Sequence, residues 1–145
     1  MTKTSDLFPL PASPQNLPLF RTLGSSQNEA TLVRNGVGKI AFVVDGRIQI
    51  LPINYVFLNG WIYGRTAAPA YLPSRARVTF EVEERTETRE WRSVVVHGRL
   101  DLVESGNTDE KSGPLFHDQL FCIRALEISG RASLPVEGRL ASNAG

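Results

Sequence analysis

Two dipeptides, Asp45-Gly46 and Asn59-Gly60, each stand between apolar runs, and this arrangement commits the middle of the chain to hairpin-built β-structure. Both dipeptides tolerate the positive φ angles that match the twist of paired strands. The flanking runs are Ile40 to Val44 and Arg47 to Leu51 for the first turn, and Asn54 to Leu58 and Trp61 to Tyr63 for the second. They predict a three-stranded meander. Pro52 interrupts its middle strand and has no amide to give a ladder, so it marks a bulge or an unpaired stretch. Further along, Val78, Phe80 and Val82 alternate with polar neighbours in a strand over 77–83, and the charged turn 84–89 leads into a strand from Trp91 to about Val103. A last strand runs from about Leu120 to Ile128. Six strands with hairpin connections and few helices predict a mainly β fold, a closed antiparallel barrel that leaves no long edge exposed.

The flanks differ in kind from this centre. Residues 1–24 carry Pro9, Pro11, Pro14 and Pro18, which neither a helix nor a ladder can propagate through, so they read as an N-terminal arm. Its apolar residues Leu7, Phe8, Leu17, Leu19 and Phe20 leave open whether the arm docks on the barrel or on a second subunit. Ser26-Gln-Asn-Glu29 reads as a capping box that opens a short helix to about Arg34, ended by Asn35-Gly36 and Gly38. Residues 104–117 form a polar loop with room for one helical turn. The expected organisation is thus an arm at 1–24, one barrel domain at 25–131 and a flexible tail at 132–145. At 145 residues there is room for a single core.

Charge and motifs exclude several function classes. Sixteen basic residues against fifteen acidic ones give a formal net charge of +1, so no global field draws the chain to nucleic acid or to anionic lipid. Cys122 is the only cysteine, which rules out an internal disulfide and suits a reducing, cytoplasmic setting. It lies in the apolar run Leu120 to Ile123 and reads as an inert packing residue. No apolar stretch approaches the length of a membrane span. His97 and His117 have no partner at metal-ligand spacing, so no metal site is expected. Neither a Gly-x-Ser-x-Gly elbow, nor a phosphate-gripping P-loop, nor a Gly-x-Gly-x-x-Gly turn occurs.

What remains is local. Gly64-Arg65-Thr66 at a strand end, followed by Ser74-Arg-Ala-Arg77, offers a guanidinium fork beside hydroxyls, a combination suited to phosphate oxygens but equally to a solvated surface. Trp91 and Ser93 share one face of a strand because side chains alternate. Trp91 reads either as a cross-strand packing residue or as part of a site.

The order of segments resembles the FMN-binding split-barrel family related to pyridoxamine 5′-phosphate oxidase, especially its small branch that includes nitroimidazole-resistance proteins. The resemblance rests on Val37-Gly-Lys-Ile-Ala-Phe42, Leu51-Pro-Ile-Asn-Tyr55, Ile62-Tyr-Gly-Arg-Thr66, Val78-Thr-Phe-Glu-Val82, Trp91-Arg-Ser-Val-Val-Val-His-Gly98 and Glu127-Ile-Ser-Gly-Arg131. It implies a six-stranded split barrel with FMN between two subunits of a homodimer. By the same resemblance Leu51, Pro52, Ile53 and Asn54 lie along the isoalloxazine, mostly through their backbone groups, Arg65 and Thr66 grip the phosphate, and Trp91 and Ser93 stand near the ring. Relatives often carry a Gly-Ser-Lys-like turn after the Arg-Thr pair. This chain has Ala67-Ala-Pro-Ala-Tyr-Leu-Pro73 instead, so Ser74 or Arg75 is expected to substitute for the Lys.

The reading is an FMN-dependent oxidoreductase acting on an unidentified small molecule, with no residue assigned to catalysis because the flavin carries the chemistry. Two alternatives stand beside it. One is a dimer that binds or senses flavin without turnover, and the other is the same fold holding a deazaflavin, or haem with His97 or His117 as axial ligand.

Overall fold

A computed structural model describes residues 19–67, 72–103 and 118–133 of the chain. The arm through residue 18, the loop 104–117 with His117, and the tail beyond residue 133 lie outside the described residues, as does the side chain of Thr66. The elements in order are β1 (Phe20–Thr22), α1 (Ser25–Arg34), β2 (Val37–Val44), β3 (Arg47–Leu58), β4 (Trp61–Ala67), β5 (Ala76–Arg85), β6 (Trp91–Leu102) and β7 (Asp118–Ser133). The sheet order is β1-β7-β4-β3-β2-β5-β6, all neighbours antiparallel, and a further β6–β7 pairing closes six of the strands into a barrel. Both turn dipeptides behave as expected. Asp45, Gly46, Asn59 and Gly60 all take positive φ, between 50° and 82°.

The interior follows the alternation of each strand. Val78, Phe80 and Val82 of β5, Val94, Val96 and Leu100 of β6, and Ile53, Tyr55 and Phe57 of β3 all point inward and are buried. On β7 the inward set changes parity, from Phe121 and Ile123 to Gly130 and Ala132, because the register slips where His97 faces Glu127 and Gly98 faces Ala125. Leu126 is the extra residue of this β-bulge and is exposed.

Helix α1 covers one end of the barrel, packing against β3, β5, β6 and β7 through Asn28, Thr31 and Leu32. Its cap stands two residues earlier than the sequence suggests: Gly24 is the N-cap, and its amide donates to Gln27 Oε1 at 3.1 Å. Its end also differs. Asn35 and Gly36 keep negative φ, and the Asn35 side chain closes the last turn by donating to the Thr31 carbonyl at 2.8 Å. Glu84 lies beneath, accepting from Asn35 and Arg34. Burial alone would raise the Glu84 carboxyl, but the hydrogen bonds from Arg34 and Asn35 and the charges of Arg34 and Arg92 hold it below the usual range. Tyr55 anchors the helix from below. Its hydroxyl donates to the Leu32 carbonyl at 2.7 Å, and burial, then Glu84, pushes its pKa up to about 12.

Pro52 marks no bulge. The Tyr55 amide donates to the Gly36 carbonyl, so the alternation of an antiparallel ladder puts Pro52 opposite Lys39 at a position where no amide is required. On its other side Pro52 lies beyond the β3–β4 pairing, which spans Asn54 to Leu58, and this is the unpaired stretch.

The ends of the body also move. Phe20–Thr22 falls in the expected arm and residues 132 and 133 in the expected tail, yet these two ends pair, Phe20 with Ser133 and Arg21 with Ala132. Two side-chain contacts hold β1. Phe20 meets Trp91 edge to face at 5.6 Å, and Arg21 donates to both oxygens of Glu90, which also accepts from Arg92 Nε at 2.6 Å. The Arg92 and Arg21 hydrogen bonds hold the Glu90 carboxyl below its usual range. Deleting residues 1–18 removes none of these contacts. Deleting 1–22 removes the aromatic pair and a partly exposed ion pair, and urea unfolding should show a further loss of about 1–3 kcal/mol for that second truncation. Equal stability of the two truncations would show that β1 contributes nothing.

Candidate functional site

Outward-facing residues of β2, β3 and β4 form a continuous wall because every second side chain of these strands leaves the core. Asn54 and Arg65 are direct cross-strand neighbours on it, both exposed, and Pro52 is the next outward residue along β3. These three expected residues therefore meet in one patch. Leu51 and Ile53 face the core, half-buried and buried respectively, so only their backbone reaches the outer side. Ser74 and Arg75 are exposed in the turn before β5, with Arg75 at a positive φ of 58°. In the closed barrel β5 is the strand opposite β4, three steps away in either direction.

A cleft of about 440 Å³ adjoins the patch, walled by Gly36, Val37, Lys39, Pro52, Glu81 and Glu83 among others. Gly36 adds no side chain to this wall, and a methyl group built there would meet nothing within 4 Å. A second cleft, about 400 Å³, lies over β6 and β7 and includes Trp91, Ser93, His97 and Arg131. Both volumes fall within the range of small-molecule sites. Trp91 is half-buried and serves packing at least in part, through Phe20. Ser93 is 7% exposed and donates to Glu81 Oε2 at 3.2 Å. Burial, then the neighbouring Glu83, raises the Glu81 carboxyl, while Ser93 and Lys39 pull it the other way.

Sequence reasoning missed Lys39, Glu81 and Arg131. Glu81 occupies the polar face of an alternating strand, as Thr79 and Glu83 do, and nothing local separates the three. Only the register that pairs Lys39 with Glu81 distinguishes it. His97 is exposed and its Nδ1 is 3.0 Å from Thr79 Oγ1. Cys122 is half-buried, and burial, then Asp101, pushes its thiol up, away from the reactive thiolate. Among the described residues no helix is long and apolar enough to cross a membrane.

The residues present suit a flavin nucleotide: a guanidinium beside an amide for phosphate, a proline and glycine wall for a flat ring, and an ammonium and carboxylate pair for its polar edge. A closed six-stranded barrel with one capping helix and open clefts on its outer wall is a split barrel. The chain belongs to the pyridoxamine 5′-phosphate oxidase family, whose sequence pattern matches residues 25–131. No curated protein sequence matches it significantly. Among solved structures it is similar to an FAD-binding protein from Mesorhizobium loti, at 23% identity and a TM-score of 0.63, covering 81% of this chain and 99% of that one. It is also similar to a candidate 5-nitroimidazole antibiotic resistance protein from Bacteroides thetaiotaomicron, at 7% identity and a TM-score of 0.63, covering 81% and 90%. A third is an FAD and haem binding protein from Mycobacterium smegmatis, at 14% identity and a TM-score of 0.57, covering 86% and 80%. At these identities the likeness is one of fold.

Proposed function

We propose that the protein binds FMN on the outer wall of the barrel, as a homodimer, and works as a flavin-dependent oxidoreductase on a small molecule. The observation that carries this reading is the juxtaposition of Arg65, Asn54 and Pro52 beside the Lys39–Glu81 cleft. In it Arg65 and the Thr66 segment hold the phosphate. The β3 backbone from Leu51 to Asn54 lies along the ring, and Ser93 with Trp91 borders its far side. A bound flavin supplies hydride or electron transfer, and the protein's own residues orient the ring and exclude water from one of its faces. Two of the related structures are named for FAD, whose FMN half is the same chemical group, so FAD is the comparison ligand.

The second subunit is supported by the outer wall itself. Val43, Ile48, Ile50, Val56 and Leu58 stand exposed on two adjacent strands, each between 56% and 72% accessible, an apolar surface of the kind that association covers. One experiment tests the whole reading. Protein incubated with FMN, FAD or riboflavin and passed through a sizing column with absorbance and light-scattering detection should elute with flavin bands at twice the chain mass. FMN should be retained better than riboflavin. A colourless peak with all three flavins overturns the reading. A Soret band from added haem in its place supports a haem protein, and flavin retained by a monomer removes the shared site.

A further inference from the structure

Lys39 and Glu81 border the cleft of the reading above, which gives neither of them a particular atom of the ring to meet. Lys39 of β2 and Glu81 of β5 are cross-strand partners facing outward, and both border the first cleft. Glu81 also borders the second cleft, and it alone among the described residues lines both. Ser93, from β6, fixes its orientation by donating to one carboxylate oxygen. A donor-only ammonium thus stands beside an acceptor-only carboxylate that a third strand holds in place.

That order has a chemical complement. A cyclic imide presents a carbonyl oxygen next to an N–H, the edge that the pyrimidine ring of a flavin carries at its N3. We propose that Glu81 and Lys39 read this edge, Glu81 accepting from the N3–H and Lys39 donating to the adjacent carbonyl, with Ser93 as the residue that positions Glu81. The inference rests on the flavin reading and adds to it the residues that select the ring. It is independent of the phosphate, which Arg65 meets on another part of the wall. Burial, then Glu83, raises the Glu81 carboxyl, and the Ser93 hydroxyl from β6 and Lys39 from β2 oppose that rise, favouring the ionised form that accepts. Glu83 lies two residues along β5 and also borders the first cleft. Without Lys39 and Ser93 the partly buried Glu81 would keep its proton more readily and accept less well.

Methylation at N3 removes the N–H and leaves the carbonyls, the ribityl chain and the phosphate unchanged. FMN and N3-methyl-FMN titrated into the full chain, followed by flavin fluorescence, therefore isolate the proposed contact. For the unmodified protein the methylated ligand should bind about tenfold or more weakly, the scale of a lost hydrogen bond to a charged acceptor. In Glu81→Ala, FMN should fall to the affinity of the methylated ligand, and methylation should then change binding by less than about twofold. Equal binding of the two ligands by the unmodified protein overturns the proposal and leaves the flavin reading intact. A methylation effect that survives undiminished in Glu81→Ala overturns the assignment to Glu81. Failure of FMN itself to bind removes the flavin reading and this inference with it.

Discussion

Phe121→Ala should destabilise the protein by about 3–5 kcal/mol and Gly64→Ala by about 1–3 kcal/mol, yet the double variant should be no less stable than Phe121→Ala alone. Gly64 of β4 and Phe121 of β7 are direct cross-strand partners, and the Phe121 ring lies over the glycine. A Cβ built on Gly64 would come within 2.2, 2.6 and 3.0 Å of three atoms of that ring, and the ring supplies all three of its nearest contacts. Phe121 is fully buried, so its ring cannot swing out to make room. Truncating Phe121 opens the space that the Gly64 methyl needs, and the alanine also lowers the entropy of the unfolded chain, by about 0.4–1 kcal/mol. The two substitutions should therefore be coupled by about 1–3 kcal/mol in opposition to their separate costs. Urea unfolding of the four proteins, at unchanged m-value, measures this directly. A double variant as unstable as the sum would show that the clash is relieved elsewhere and that Gly64 is required for another reason.

The same pair explains what the sequence could and could not disclose. The hairpin turns, the alternation of β5 and the barrel class are local facts, and Asp45-Gly46, Asn59-Gly60 and Val78-Thr-Phe-Glu-Val82 contain them whole. The β7 bulge is not local. Leu120 to Ile128 reads as an ordinary strand, and the parity change after Ala125 becomes visible only when β6 is laid beside it with Gly98 against the Arg124 carbonyl. The strand at Phe20–Thr22 was hidden for a similar reason. Three residues beside a proline-rich segment carry no period, and they are held by Glu90, Trp91 and Ser133, all distant in sequence. Helix α1 shows the limit of a motif: Ser26 and Glu29 spell a capping box, but Gly24 begins the helix because its carbonyl already accepts from the Asn28 amide.

The candidate site divides along the same line. Arg65 and Trp91 could be singled out from the sequence, Arg65 as a guanidinium beside a hydroxyl and Trp91 as an aromatic sharing a strand face with Ser93, once the order of segments was laid beside the family. Glu81 and Lys39 are ordinary residues of solvated strand faces. Their meaning comes from register, from one ladder that sets Lys39 against Glu81 and another that sets Ser93 diagonally across from it. Leu51 and Ile53 show the converse. The resemblance puts them along a ring mostly through their backbone, and their side chains do belong to the core, so any contact they make carries no residue-type signal at all.

Arg65→Ala should abolish most of the preference for FMN over riboflavin. The two ligands share the ring and the ribityl chain and differ only in the phosphate, so their ratio of affinities isolates whatever holds that group. Arg65 is exposed beside Asn54, which sets the scale of the effect. A charge-assisted hydrogen bond is worth about 1.5–3 kcal/mol, and one on an open wall stays at the lower end because water competes for both partners. The Kd for FMN should therefore rise about tenfold, and the Kd for riboflavin should change by less than about threefold. Arg65→Lys should fall between, since an ammonium keeps the charge but loses the planar fork. Salt gives an independent check: raising ionic strength should weaken FMN binding to the unmodified protein and leave riboflavin nearly unaffected, and in Arg65→Ala that difference should shrink. Titration by flavin fluorescence reads all of these, with circular dichroism to confirm that each variant folds. A variant that keeps the full preference would move the phosphate away from β4, and the cations before and within β5, Arg75 and Arg77, would be the next to replace.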